Sequence, residues 1–356
     1  MDKKDIFIFK EKENKKIEDK YVFSVIGLAH GHIYAMVRGL LNLGENVKIK
    51  YVFDEDRSLV ENFSKEFPSA KYTDELDLIY SDEETNLIAS AAIPSQRAQI
   101  GIKTMEAKKD YFVDKAPLTS LEDLEKVKET INKTKRKYFI YYCESIDNDA
   151  AIYARDIIKR GIIGEVFHVS GAAPHRLNIE TRPWWFFDKK YTGGIITDLI
   201  CHQIHQFLDF ASASDCKVIA ARSDNFGHKH KPGMDDFGDV MVTADNGVTG
   251  HFRVDWFSPA GINTWGDSRI IIEGTKGYIE LRKNCNIGFD SKPDHIYVAT
   301  EDGVYYENVN SKSENYYFYN LVYDSIYRTN LSPDEKVCFN AIEASIIAQN
   351  LADSIR

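Results

Sequence analysis

The sequence predicts two domains of different class. The first is an α/β domain with a doubly wound parallel sheet. The second is an α+β domain with a large, mostly antiparallel open sheet. Three observations carry this. Residues 21 to about 145 alternate short apolar runs with amphipathic segments, the pattern of a parallel sheet covered by helices. After Asp149 strand follows strand through tight turns, with few helices. The chain has 356 residues, 43% of them apolar, which is long for one core and suits two.

In order, Tyr21–Ile26 reads as a strand and His32–Leu43 as a helix, with Ile33, Val37, Leu40 and Leu41 on one side. Val47–Phe53 is the next strand, and a helix follows near Arg57–Phe67. Leu87–Ile93 is a buried strand, Gln96–Ala107 a helix and Tyr111–Val113 a short strand. Leu121–Lys135 is a helix and Tyr138–Tyr142 a strand. Past a helix over Ala150–Lys159, strands are expected at Glu165–Ser170, Lys217–Arg222, Gly238–Ala244, Val248–Phe257, Arg269–Glu273, Tyr278–Arg282 and His295–Ala299. Asp245-Asn246-Gly247 is a hairpin turn. One long helix, Gly194–Phe210, interrupts the strands, and Phe339–Ile355 is a closing helix. The expected layout is a charged extension over 1–20, with one short strand near Ile6–Phe9, then domains over 21–146 and 147–335 and a C-terminal helix over 336–356.

Lys and Arg number 45 against 55 Asp and Glu, a net charge of −10, which disfavours nucleic acid or an anionic membrane as partner. No run reaches the roughly 18 apolar residues of a membrane span. The N-terminal segment is too polar for a secretory signal. Five cysteines, an odd number with no C-x-x-C, argue against a disulfide framework or a zinc ribbon, and fit a reducing cytoplasm.

The first strand runs into Gly27-Leu28-Ala29-His30-Gly31-His32. In the frame of the dinucleotide fingerprint Gly27 makes the tight turn, Ala29 stands where the backbone approaches a pyrophosphate, and His32 replaces the third glycine. Gly31 just before it offers flexibility, and amides at the helix start face an anion. Alone, G-x-A-x-x-H fits a plain strand-to-helix turn as well as a nucleotide loop. Its place before a helix, and Asp54 at the end of the second strand, favour the loop. Asp54 is placed to accept both ribose hydroxyls and to repel a 2′-phosphate, with Arg57 the one contrary charge nearby. NAD is therefore expected, with NADP disfavoured.

Two further stretches, Tyr111-Phe112-Val113-Asp114-Lys115-Ala116-Pro117-Leu118 and Gly193-Gly194-Ile195-Ile196-Thr197-Asp198-Leu199-Ile200-Cys201-His202, extend the pattern. With the glycine turn, and Gly-Thr-Lys-Gly-Tyr-Ile-Glu-Leu at 274–281, they resemble the Gfo/Idh/MocA oxidoreductases of the glucose–fructose oxidoreductase and inositol dehydrogenase type. The resemblance runs in the same order from about residue 21 to the C-terminus. Asp114 stands for the usual Glu of the Glu-Lys-Pro motif and Ala116 for its Pro. The turn after Leu87–Ile93 carries Pro94-Ser95-Gln96-Arg97 in place of a usual His, and an Arg common after Tyr138–Tyr142 is replaced within Glu144-Ser145.

The resemblance implies hydride transfer between nicotinamide and a hydroxyl of a sugar, cyclitol or related polyol, with Lys115, Asp198 and His202 as the catalytic set. The residue types agree. Asp198 and His202 are neighbours at i, i+4 on one helix face, with His202 as base and Asp198 to orient it or bind a hydroxyl. Lys115 would stabilise developing alkoxide charge. The cofactor is expected against Gly27, Ala29, His30, Gly31, His32, Asp54, Arg57, Ile93, Pro94, Ser95, Asp114 and Lys115. Substrate contacts are expected from His175, Arg176, Arg182, Trp184 and His205, where rings face sugar C–H groups and arginines bind oxygen. His175, Asp198, His202 and His205 have metal-ligand chemistry, but a hydrogen-bonded polar cluster is expected there and no metal. A homodimer or homotetramer is implied by the family. Two other functions stay open: a redox-neutral glycosidase or lyase that uses tightly bound NAD for transient oxidation, and a non-catalytic NAD-binding regulator.

Overall fold

Six strands form one parallel sheet: β1 (Tyr21–Ile26), β2 (Val47–Phe53), β3 (Lys71–Tyr72), β4 (Leu87–Ser90), β5 (Asp110–Asp114) and β6 (Tyr138–Tyr141). Every residue of β1, β4, β5 and β6 is buried, and apart from Ser24, Ser90, Asp110 and Asp114 these strands are apolar or aromatic throughout rather than alternating, as strands covered on both faces are. The spatial order is β3-β2-β1-β4-β5-β6. It reverses between β1 and β4, the crevice where doubly wound sheets hold ligands beyond the carboxyl ends of their strands. The computed structural model describes residues 2–9, 13, 15–288, 292–313 and 315–355.

The helices of this unit are held by the apolar stripes the sequence shows. His32–Leu41 buries Ile33, Met36, Val37 and Leu40, so Met36 takes the place expected for Leu41. Ser120 caps Leu121–Thr134 by accepting from the Asp123 amide at 3.1 Å. Edge strand β3 and the helix Leu76–Ser81 were not expected, because each is too short to show a period.

The chain divides into two compact units, 14–141 with 316–335, and 1–13 with 142–315 and 336–356. The expected boundary at 146 lies close to 142. Residues 316–335, expected in the second domain, belong instead with the parallel sheet: the Tyr317 hydroxyl donates to the Ile140 carbonyl, and Arg328 pairs with Asp110 at 2.7 Å. The expected strand at Ile6–Phe9 does not form; the described residues there hold a single helical turn, Lys3–Ile6.

In the other unit β7 (Val166–Pro174), β8 (Cys216–Asp224), β9 (Phe237–Ala244), β10 (Thr249–Asp255), β11 (Arg269–Gly274), β12 (Gly277–Arg282), β13 (His295–Thr300) and β14 (Gly303–Asn308) make an eight-stranded sheet. Its order is β14-β13-β12-β11-β7-β10-β9-β8. All neighbours are antiparallel except β7 and β10. One face alternates inward through Val240, Val242, Phe252, Val254, Ile270, Ile272, Ile279 and Leu281, all buried. Phe207 of helix Cys201–Phe210 meets Phe252 on that face, ring to ring at 5.7 Å. Gly247, at φ +90°, closes the β9–β10 hairpin. Among the described residues no helix is long and apolar enough to cross a membrane.

Candidate active site

The chain leaves β1 through Gly27 at φ +89°. A Cβ there would sit 2.4 Å from the Cβ of Ala92, so glycine is required both for the turn and for the close approach of the β4 end. Asp54 closes the loop from the side: its Oδ2 accepts from the Leu28 amide at 2.6 Å and its Oδ1 from the Asp56 amide at 2.8 Å. Among the described residues the N–H groups of Ala29 and Gly31 donate to no other group, and a Cβ on Gly31 would meet nothing within 4 Å. Amides at a helix start over open space are the donor set an anion takes. Pro94 and Ser95 open the helix Pro94–Glu106 just past Ile93. Arg57 is turned to its own surroundings, 3.9 Å over the Tyr72 ring and 3.7 Å from Asp74.

His32 does not pack where a third glycine would. Its Nδ1 lies 2.8 Å from one Asp114 oxygen, and Nδ1 of His30 lies 3.0 Å from the other. Asp114 is fully buried, and the Arg97 guanidinium joins it at 3.1 Å. Burial pushes the Asp114 carboxyl up, but His32, Arg97 and His30 outweigh it and hold it well below the usual range. Burial, then His32, lowers His30 to about 4 against the opposing pull of Asp114. Arg97 also donates to the carbonyls of Ala92, Asp114, Lys115 and Ala116, and so fixes the strand end that presents Lys115. The peptide joining Lys115 to Ala116 is cis. His30, His32 and Asp114 are the one group of donor atoms among the described residues close enough together to share a metal ion. The cationic Arg97 already on Asp114, and both ring nitrogens at hydrogen-bond distance from it, fit a hydrogen-bonded cluster instead.

In the antiparallel unit two glycines at positive φ, Gly193 at +80° and Gly194 at +91°, turn the chain into the helix that carries Asp198 and His202. The Gln349 side chain accepts from the Ile196 amide at 2.9 Å and satisfies one donor of the helix start. The single helix expected over Gly194–Phe210 begins instead with a π turn over Ile196–Ile200, followed by α-helix Cys201–Phe210. Such wide turns concentrate at functional sites. Asp198 is half-buried on it and borders a niche of about 10 Å³, one water's room, with Lys189, Asp235 and Trp256. Its charge opposes the burial that weakens Arg182's hold on its proton. His202 is buried, its ring 6.0 Å from that of Tyr142.

Several expected ligands are used elsewhere. Asp114 is enclosed, so its carboxylate reaches outward only through His30 and His32. His205 is buried, stacked on Tyr142 at 4.4 Å with its Nε2 3.5 Å from the Cys338 sulfur; burial lowers it to about 4, and it sits as a core histidine rather than a substrate ligand. Arg176 donates to the carbonyls of Pro259, Ala260 and Ile262 and pins that loop. Arg182 donates to the Leu177 carbonyl at 2.8 Å and lies over Phe186 and Trp256. Trp184 is 69% exposed, edge-on to Tyr191. His175 does face a polar group, with its Nε2 3.9 Å from Glu144.

Sequence reasoning missed Arg97, Glu144 and Lys283. Glu144 and Lys283 are a buried ion pair at 3.1 Å. Burial pushes Glu144 up, yet Lys283, His202 and His175 together hold its carboxyl well below the usual range. The one signal for Arg97 was an arginine in the first turn of its helix; Glu144 stood out only as part of the stretch replacing a usual Arg, and Lys283, 139 residues on, gave none.

Residues 22–142 match the oxidoreductase family with an NAD-binding Rossmann fold, and residues 152–280 match the GFO/IDH/MocA C-terminal domain. The crystal structure of an Erwinia carotovora atroseptica SCRI1043 protein assigned as an oxidoreductase superposes with a TM-score of 0.91 at 38% identity, covering 94% of this chain and 99% of that one. The 2,7-anhydro-N-acetylneuraminate hydratase of Escherichia coli K12 is 23% identical over 262 residues, 73% of this chain and 67% of the hydratase. The D-xylose dehydrogenase of Paenarthrobacter nicotinovorans is 22% identical over 205 residues, 54% of this chain and 53% of that enzyme. The chain therefore belongs to the Gfo/Idh/MocA oxidoreductase family, and its parallel-sheet domain is the family's NAD-binding domain. The open amides of Ala29 and Gly31 and the carboxylate of Asp54 fit the pyrophosphate and ribose of that cofactor.

Proposed function

We propose that the protein is an NAD-dependent dehydrogenase that acts on a hydroxyl of a sugar, cyclitol or related polyol. The observation that carries this is the buried His202, held on a helix entered through Gly193 and Gly194, in the same unit as the buried Glu144–Lys283 ion pair. A buried imidazole among charges is suited to taking a hydroxyl proton. Nicotinamide, when bound, supplies the hydride acceptor. His202 takes the proton of the substrate hydroxyl and Asp198 on the same helix binds or orients it; Lys115, the residue the family resemblance assigns to charge stabilisation, is the further candidate group. Arg97 holds the Lys115 peptide in place. A D-xylose dehydrogenase among the relatives supports a sugar substrate. A panel of sugars, inositols and their acids with NAD, scored by NADH formation, tests the reading; no NADH from any member counts against it.

The hydratase among the relatives favours a second reading, in which the hydride is returned and the net reaction is elimination or hydration. Substrate consumption without NADH accumulation would select it.

A further inference from the structure

A cleft of about 730 Å³ lies at the amino ends of β1, β4 and β5. The nucleotide loop leaves β1 at its other end, about 20 Å away along the six residues of that strand. The cleft is lined by Tyr80 in the helix Leu76–Ser81, by Lys108 and Lys109 just past the helix Pro94–Glu106, and by Arg136 before β6. Its volume is that of a small-molecule site.

The charges of the lining do not cancel. Lys20 pairs with Glu84 and Arg328 with Asp110, each at 2.7 Å. Asp110 also accepts from the Ser325 hydroxyl at 2.6 Å and the Lys137 amide at 3.0 Å. The Asp19 carboxylate accepts from the Tyr327 hydroxyl. Three cations are left, Lys108, Lys109 and Arg136, against one carboxylate, that of the exposed Glu83.

Lys109 is only 5% exposed. Its ammonium donates to the Asp82 carbonyl at 2.5 Å and the Thr85 carbonyl at 3.2 Å, so one of its three donors is left over among the described residues. The half-buried Arg136 guanidinium has no hydrogen-bond or ion-pair partner among them. The two cations also act on one another. Burial weakens the hold of Lys109 on its proton, Asp82 and Glu83 oppose this, and Arg136 and Lys50 add to it. An anion in the cleft relieves both groups at once. A guanidinium fork takes two oxygens and an ammonium donor a third, which matches the three terminal oxygens and nearly double charge of a phosphate ester. The Tyr80 ring offers a wall to the ester's carbon body.

We propose that this cleft is a second ligand site, separate from the nucleotide loop, for a small phosphate monoester held through its phosphate by Arg136 and Lys109. The site is independent of the reaction proposed above.

The test is calorimetry on NAD-saturated protein at constant ionic strength, so that the nucleotide loop is already filled. The probes are glycerol 3-phosphate and phenyl phosphate, set against inorganic phosphate, succinate and glycerol. At least one ester should bind, at one site per chain, about tenfold or more tightly than inorganic phosphate or succinate. Arg136→Met should weaken that ester about tenfold or more and leave NAD affinity and the unfolding midpoint of the ligand-free protein unchanged, because the guanidinium holds no other described group. Should Arg136→Met misfold, Arg136→Gln keeps a polar side chain without the charge and should show the same loss. No binding by either ester, inorganic phosphate or succinate binding as tightly as the esters, or full ester affinity in the variants would each overturn the proposal. So would an ester that binds only when NAD is left out, since it would then be occupying the nucleotide loop. A variant that loses ester binding together with NAD affinity marks a structural arginine and overturns it too.

Discussion

Asp54, the residue after β2, holds its Oδ2 2.6 Å from the amide nitrogen of Leu28, in the turn that follows β1. One anion is therefore fixed beside the turn after β1, the position our reading gives to the ribose hydroxyls of the cofactor. A 2′-phosphate would have to sit beside it. NAD should bind about tenfold or more tightly than NADP, the order of one screened charge–charge contact. Fluorescence titration of both cofactors checks this, and equal affinities would defeat the assignment. Asp54→Ala should narrow the difference and also weaken NAD, because the Leu28 amide loses its acceptor.

The loop is tuned by size as well as charge. Ala29 is half-buried and its N–H donates to no other described group. Ala29→Val puts two methyl groups where the backbone approaches the pyrophosphate. NAD affinity should fall at least about tenfold with the unfolding midpoint nearly unchanged, since the side chain is not part of the core. Unchanged NAD affinity would show that this turn does not touch the cofactor.

Much of this was legible because its signals are local. Short, mostly apolar runs gave β1, β4 and β5, and one glycine marked the strand-to-helix turn that Asp54 closes. What stayed hidden depends on contacts far apart in the chain. Nothing near His32 shows that its ring will reach Asp114, 82 residues on, or that Arg97 will bury itself under Lys115. His205 shares a helix face with His202, so spacing alone made both look functional; only the stacked Tyr142 and the Cys338 sulfur show one of them to be core. The π turn at Ile196–Ile200 has no composition of its own to announce it.

His205 should also leave a mark on stability against pH. Burial lowers it to about 4, whereas in the unfolded chain it titrates near 6.5. Between these values the unfolded state binds the extra proton, so stability rises with pH there. The contribution is complete above about 6.5 and is lost as pH falls toward 4. Replacing the imidazole by a ring that cannot titrate, His205→Phe, keeps the stack on Tyr142. The loss of unfolding free energy between pH 7 and pH 5 should then be smaller than in the wild type by ~2 kcal/mol. Urea unfolding at the two pH values measures it. An equal pH slope in both proteins would mean that His205 is not held neutral.

The proposed chemistry is tested by removing its base, His202, and its charge-stabilising group, Lys115, separately. Lys115 and His202 are both buried, at 5% and 2% exposure, where a charge or a hydrogen bond acts with little screening. Lys115→Met keeps the apolar stem and deletes the ammonium; His202→Ala deletes the imidazole. Each should lower turnover by about two orders of magnitude or more on a substrate found in the sugar panel, the usual loss when an electrostatic or general-base group goes. NAD affinity should change little for His202→Ala, because the loop amides and Asp54 are untouched. The two variants should then differ in their pH profiles. The limb of the wild-type rate that reports the base should vanish in His202→Ala and persist, on a lower rate, in Lys115→Met. If His202→Ala keeps both near wild-type turnover and the same limb, His202 is not the base, and Lys115 becomes the group to examine in that role.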